Sequence, residues 1–199
     1  MAQIKDKQKA IIDIATKYFC RYGYNKTSLD DIANEAQIAK GTIYYYFNNK
    51  EELYMSVIQE NYAHFSTMLE KQIDAMDGFE AKLREFIHFP IRLIYEKMPL
   101  LHASLNSIPL SFHKPIYEFR LTKRKNMLDK LISILEIGKQ EGVLGIDLQV
   151  ERLSEIIFDW FLLGDPSINI ADIETLLKRI DRDHEIIINM ILYGLLKRG

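Results

Sequence analysis

Apolar residues recur at three- and four-residue intervals along almost the whole chain, the period of a helix with one buried face. Two-residue alternation, the mark of a half-buried strand, is scarce. Ile11, Ile12, Ala15, Phe19 and Tyr22 form the first stripe, and Gly23 stands where a helix C-terminus favours positive φ. Thr27 opens a second helix, with Asp30 three residues on as a capping-box partner. Its apolar face is Leu29, Ile32, Ala33 and Ala36. The pattern breaks at Gln37-Ile38, and a short third helix follows from about Ala39 to Phe47. Asn49 with Glu52 signals the start of a long fourth helix through about Lys71.

Downstream, the spacing predicts a helix from about Phe79 to Lys97, with a kink at Pro90. Pro99 suits the first turn of the next helix. Residues 107–115 read as a loop, and a long helix runs from Ile116 to about Gln140, where the glycines of GKQEGVLG end it. Helices over 148–163 and about 172–197 close the chain. The fold class expected is therefore all-α. The second and third helices are short and joined by a tight turn, which is helix-turn-helix spacing. They divide the chain into an N-terminal head, residues 1–50, and a helical body, residues 51–199.

The stretch AKGTIYYYFNNKEEL, residues 39–53, carries three consecutive tyrosines. At about 100° per residue they fan across too much of a helix surface for all to be buried. Ile43 and Phe47, at i and i+4, are the inward pair. Lys40, Thr42, Tyr44, Tyr45 and Tyr46 are then left to the open face. Hydroxyls and an ammonium are donors to phosphate oxygens, and aromatic rings pack on thymine methyls or sugars. Gly41 admits close backbone approach. Two readings stay open from these residues alone: a DNA-contacting helix, or a solvated helix with surface aromatics.

Charge adds to this picture modestly. Residues 1–50 carry seven Lys and Arg21 against four Asp and Glu35, a net +3, so a chain of total charge −2 leaves −5 on the rest. A basic head on an acidic body points to an anionic partner. The one cysteine, Cys20, excludes an intrachain disulfide and a cysteine metal site, and fits a cytoplasmic setting. Neither a signal-peptide-like start nor an apolar run of membrane-spanning length is expected. The five histidines lack H-x-x-x-H and H-E-x-x-H spacing, and there is no nucleophile elbow or phosphate-cradling glycine loop. The chain is thus expected to be neither an enzyme nor a metal or cofactor binder.

Two late stretches, IIFDWFLLG and IIINMILYGLL, are apolar nearly all round. Such helices must be buried on every side. A homodimer through a four-helix bundle would do this, with Ile157, Phe161, Ile187, Ile191 and Leu195 at the interface. The alternative is a pair of helices central to a monomer core.

FCRYGYNKTSLDDIANEAQIAKGTIYYYFNNKEEL, residues 19–53, closely resembles the DNA-binding region of TetR-type transcriptional regulators. The shared pattern is Phe19, Gly23-Tyr24, Thr27-Ser28, Ile32-Ala33, Ala36, Lys40-Gly41-Thr42, Tyr44-Tyr45, Phe47, Lys50-Glu51 and Leu53. The resemblance implies a dimeric, ligand-responsive regulator, read as a repressor, with double-stranded operator DNA as partner. It implies that Thr27 caps the second helix and touches a phosphate, that Lys40, Thr42 and Tyr45 face base edges, that Tyr44 and Tyr46 hold the DNA backbone, and that Lys50 grips a phosphate or base. Two positions depart from the family pattern. Gln37 stands where glycine is frequent and must accept positive φ; Ala39 lacks the capping hydroxyl found there in many members. Similar proteins often hold a small apolar effector between the helices of the body. Phe89, Arg92, Tyr95, His102, Phe112, Tyr117, Asp159 and Trp160 are the candidates, against a reading as plain core in which Arg92 and Asp159 make salt bridges. Competing functions are an enzyme or small-molecule carrier with a degenerate helix-turn-helix, and a non-inducible architectural DNA binder.

Overall fold

The computed structural model describes residues 2–97 and 112–161, with the positions 182, 185–186, 189–190 and 193; the side chains of 2–5, 90–97, 113, 120, 160 and 161 lie outside the description. Every described element is an α-helix: α1 (Ala2–Lys26), α2 (Leu29–Glu35), α3 (Lys40–Tyr46), α4 (Lys50–Asp74), α5 (Gly78–Lys97), α6 (His113–Gln140) and α7 (Val150–Phe161). No described helix is long and apolar enough to cross a membrane. The chain forms two compact units, Met1–Ser66 with Ile94–His113, and Thr67–Leu93 with Lys114–Gly199.

In the first unit, Ile11, Ile12, Ala15 and Phe19 are buried along α1, as their spacing requires. Tyr22 departs from that stripe and is exposed, beside Tyr18 at 5.6 Å. Just after it, Gly23, with φ of 75° and ψ of 169°, interrupts α1 and redirects its last turn. Leu29, Ile32 and Ala33 of α2, Ile43 of α3, and Leu53, Tyr54, Val57 and Ile58 of α4 complete the buried set, and α2 packs on both α1 and α3. An aromatic cluster lies at one side of this core. Phe19 meets Tyr54 edge-on at 4.9 Å, and Tyr24 lies 5.0 Å from Tyr54. Phe112 contributes a further ring, 5.1 Å from Tyr24 and 5.4 Å from Tyr54. Such edge-to-face pairs add about 0.5–1.5 kcal/mol each beyond their buried area.

The second unit buries Leu69, Ile73, Phe79, Leu83, Phe86 and Ile87 together with Leu131, Ile134, Leu135, Leu144, Val150, Ile157 and Phe158. Gly138 lets α6 approach closely: a Cβ there would lie 2.8 Å from the Phe79 ring and 2.9 Å from Leu144. The Phe79 N–H donates to the Glu141 carboxylate at 3.2 Å, holding the start of α5 to the end of α6. Helix α6 begins at His113, three residues ahead of the expected start at Ile116, so Pro115 falls in its first turn, where a missing N–H is harmless.

Ile157, expected at a dimer interface, is instead buried within its own unit, while its neighbour Ile156 is exposed. The amphipathic face of α7 accounts for this: Val150, Ser154, Ile157 and Phe158 turn inward, leaving Ile156 and Asp159 outside. Ile186, Met190 and Tyr193 are exposed at i, i+4 and i+7. Ile187, Ile191 and Leu195 lie outside the described residues, as does the side chain of Phe161.

Candidate nucleic-acid interface

Helix α3 is seven residues long and has one buried residue, Ile43, with Phe47 buried just beyond its end. This i, i+4 pair fixes the rotation of the helix, and the rest of its surface follows. Tyr45 is 73% exposed and Tyr44 50%, while Tyr46 is half-buried, 5.0 Å from Tyr45 and 6.5 Å from Phe47. Lys40 and Gly41 are exposed and Thr42 half-buried. A Cβ on Gly41 would meet nothing of the protein within 4 Å, so the open space there faces outward. Tyr44, Tyr45, Lys40 and Gly41 therefore share one accessible surface on a helix that the fold leaves largely uncovered.

A single tight turn joins α2 to α3. Helix α2 ends with the Ile38 N–H donating to the Ala33 carbonyl at 3.0 Å and the Gln37 N–H to the Asn34 carbonyl at 3.1 Å, a Schellman closure. That closure needs a left-handed residue, and Gln37 supplies it at φ 53°, as its place in the turn demanded. Ala39 precedes α3 without a side-chain cap, also as expected.

The start of α2 corrects the sequence reading. Ser28, not Thr27, is the N-cap: its hydroxyl accepts from the Asp31 N–H at 3.1 Å, and its own N–H donates to the Asp31 carboxylate at 3.0 Å. The Asp31 carboxyl is accordingly held below its ordinary value, first by the Ser28 hydroxyl and then by the Ser28 N–H. Thr27 is only 1% exposed. Its hydroxyl faces the Gly23 carbonyl at 2.9 Å and the Tyr18 carbonyl at 3.2 Å, so it ties the broken end of α1 together and is turned away from any phosphate. The sequence TSLDD offers S-x-x-D as readily as T-x-x-D; burial of the Thr27 methyl decides between them.

Lys50, the first residue of α4, places its ammonium 4.1 Å from the centroid of the Tyr24 ring. The Tyr24 hydroxyl donates to Glu51 at 2.8 Å, and burial, then Glu51, pushes its pKa up. Burial pulls the Lys50 pKa down. Lys50 is thus seated on the Tyr24 ring, which packs in turn on Tyr54 and Phe112, a partnership that helical spacing could not reveal because its members come from three separate stretches of chain. The start of α4 is capped as expected, with the Glu52 N–H donating to Asn49 at 2.8 Å. Lys40 is also engaged: its Nζ lies 2.7 Å from the Asp30 carboxylate, and hydrogen bonding to Asp30 raises its pKa.

Of the described effector candidates, Phe112 belongs to the first unit and Phe89, Tyr117 and Asp159 to the second. Phe112 is buried in the aromatic cluster of the first unit, against Tyr24 and Tyr54. Phe89 is buried, Tyr117 is 42% exposed, and Asp159 pairs with Arg124 at 2.8 Å near the surface. That ion pair is the salt-bridge alternative for Asp159, formed in partly exposed rather than apolar surroundings. The side chains of Arg92, Tyr95 and Trp160, and all of His102, lie outside the described residues. Cys20 is half-buried and burial raises its thiol pKa, as befits a packing residue rather than a nucleophile.

Residues 11–57 match the family described as bacterial regulatory proteins, tetR family. Over 161 residues the chain is 30% identical to the fatty acid metabolism regulator protein of Bacillus subtilis, covering 79% of this chain and 81% of that one. The chain belongs to the TetR family. It is 33% identical over 132 residues to the biofilm operon icaADBC negative transcriptional regulator IcaR of Staphylococcus epidermidis, covering 65% of this chain and 68% of that protein. In structure it resembles the Bacillus subtilis transcriptional regulator FadR, solved in complex with stearoyl-CoA, with a TM-score of 0.63 and 25% identity over 94% of this chain and 98% of that one. As a TetR-family member the protein is a DNA-binding transcriptional regulator, with a helix-turn-helix in α2 and α3 and an all-α remainder.

Proposed function

We propose that this protein is a repressor that binds operator DNA as a homodimer and is released by a small, mainly apolar effector. The observation that carries the DNA-reading part is the display of Tyr44, Tyr45, Lys40 and Gly41 on α3, with Ile43 and Phe47 locking the helix from behind. In this reading Lys40, Thr42 and Tyr45 contact base edges, Tyr44 and Tyr46 contact the backbone, and Lys50 contacts a phosphate. Exposed Ile186, Met190 and Tyr193, with Ile156, support the homodimer, since a second copy would cover them. The FadR complex with stearoyl-CoA and the IcaR relative support, respectively, an apolar-chain effector and repression. The body, from about residue 51 onward, then senses and dimerises, and the protein works in the cytoplasm without catalysing a reaction.

Two heads must match successive major grooves about 34–36 Å apart. An effector acts by favouring another spacing, and only to the extent of its differential affinity for the two states. The test begins with selection of a bound sequence from a random duplex library. Tyr45→Ala should then weaken binding to the selected operator by about 1–3 kcal/mol. Folding should be unchanged, because the ring is exposed. Operator affinity that survives Tyr45→Ala in a folded protein would overturn the assignment of α3. Acyl-CoA titration of the operator complex tests the effector class, and reciprocity requires operator to weaken acyl-CoA binding by the same factor.

A further inference from the structure

We propose that Asp30 is a specificity-determining residue of the reading head: its carboxylate holds the Lys40 ammonium back from phosphates and reserves it for uncharged acceptors on base edges. The proposal rests on the DNA-binding reading of α3 given above. Asp30 stands in the first turn of α2 and Lys40 is the first residue of α3. The Schellman turn between them fixes both backbones, and their side chains meet at 2.7 Å with 59% and 46% exposure respectively. The pair therefore lies on the surface that DNA would approach. Asp30 has no part in capping α2, which Ser28 and Asp31 accomplish. A surface ion pair of this kind contributes little to folding. Its consequence falls on whatever ligand competes for Lys40.

An ammonium has three N–H donors. One is directed at Asp30, and two remain for a pair of acceptors such as guanine O6 and N7. A phosphate reaching those donors would come within about 6 Å of the Asp30 carboxylate, where Coulomb repulsion in water lowers affinity by about threefold per head. An uncharged base edge meets no such repulsion. Asp30 thus weakens indiscriminate backbone binding while leaving Lys40 able to read a base, and the ratio of specific to non-specific affinity rises.

The experiment uses the full chain, its selected operator and a mixed-sequence duplex of equal length. Asp30→Asn keeps the shape and removes the charge. It should raise affinity for the mixed duplex about threefold per head at low salt. The slope of log affinity against log salt should steepen by about 0.9 per head, the effect of one more neutralised phosphate. Operator affinity should gain less, so the ratio falls; Asp30→Glu should behave as wild type. In a Lys40→Ala background Asp30→Asn should give no such gain. Unchanged non-specific affinity and slope in Asp30→Asn would overturn the proposal. So would a gain that persists with Lys40→Ala, because it would mark a general charge effect. A wild-type protein that selects no sequence at all would instead refute the DNA-reading assignment itself, and this proposal with it.

Discussion

Thr27→Val separates the two roles that its hydroxyl could have. Valine matches threonine in shape, so no cavity opens and the buried methyl packing is retained. What is lost is one donor facing the Gly23 carbonyl at 2.9 Å and the Tyr18 carbonyl at 3.2 Å, in a residue 1% exposed. A buried neutral hydrogen bond of this kind contributes about 1 kcal/mol, and the acceptor left behind raises the cost toward about 2 kcal/mol. With a urea m-value of about 2 kcal/mol/M, the unfolding midpoint should fall by roughly 0.5–1 M. Midpoints must be compared at one protein concentration, because dimerisation would couple stability to mass action. Operator affinity, measured where the variant is folded, should stay within a factor of about two, since the hydroxyl points into the head. A phosphate contact makes the opposite forecast: stability intact and affinity down about fivefold per head, the equivalent of about 1 kcal/mol. That second outcome would refute the buried role of Thr27.

Gln37→Gly should stabilise the head. Leaving φ 53° to glycine removes about 1 kcal/mol of left-handed strain, offset in part by the freer unfolded chain, and a lowered thermal midpoint would contradict this. Ser28→Ala should cost about 1 kcal/mol at neutral pH through loss of the cap. The folded Asp31 carboxyl is depressed below its ordinary 3.8, so its stabilising contribution is present above that value and disappears as pH falls through the folded pKa. The gap between wild type and Ser28→Ala in urea melts should therefore narrow below about pH 4, and a constant gap would show that the carboxylate is not involved. Met190→Glu changes an exposed side chain, so each protomer should fold normally while dimers dissociate by sedimentation and operator binding falls; an intact dimer would place the interface elsewhere.

Much of the head was legible from spacing because its elements are set by local interactions. The inward pair Ile43 and Phe47, the outward Tyr44 and Tyr45 and the Asn49 cap all depend on residues within four positions of one another, while the positive φ at Gln37 and the uncapped Ala39 were expected from the resemblance to the TetR pattern. A helical period or a turn geometry encodes such features directly. The helical class of the chain followed from the same period.

What the tertiary structure decided was the choice among locally equivalent options. Thr27 and Ser28 could each begin a capping box, and only the burial of Thr27 beneath the broken end of α1 assigns the cap to Ser28. Ile156 and Ile157 are equally apolar, and the neighbours of α7 select Ile157 for the core. Phe112 is far along the chain from Tyr24 and Tyr54, and only the fold packs it against both, behind the ring on which Lys50 rests. Asp30 and Lys40 are ten residues apart, on different helices, and meet only because the turn between α2 and α3 folds back. Each of these outcomes depends on contacts between separate helices. A one-dimensional pattern records how a segment presents its own faces, whereas the partner that covers a face, or leaves it open to DNA, is set when the helices pack.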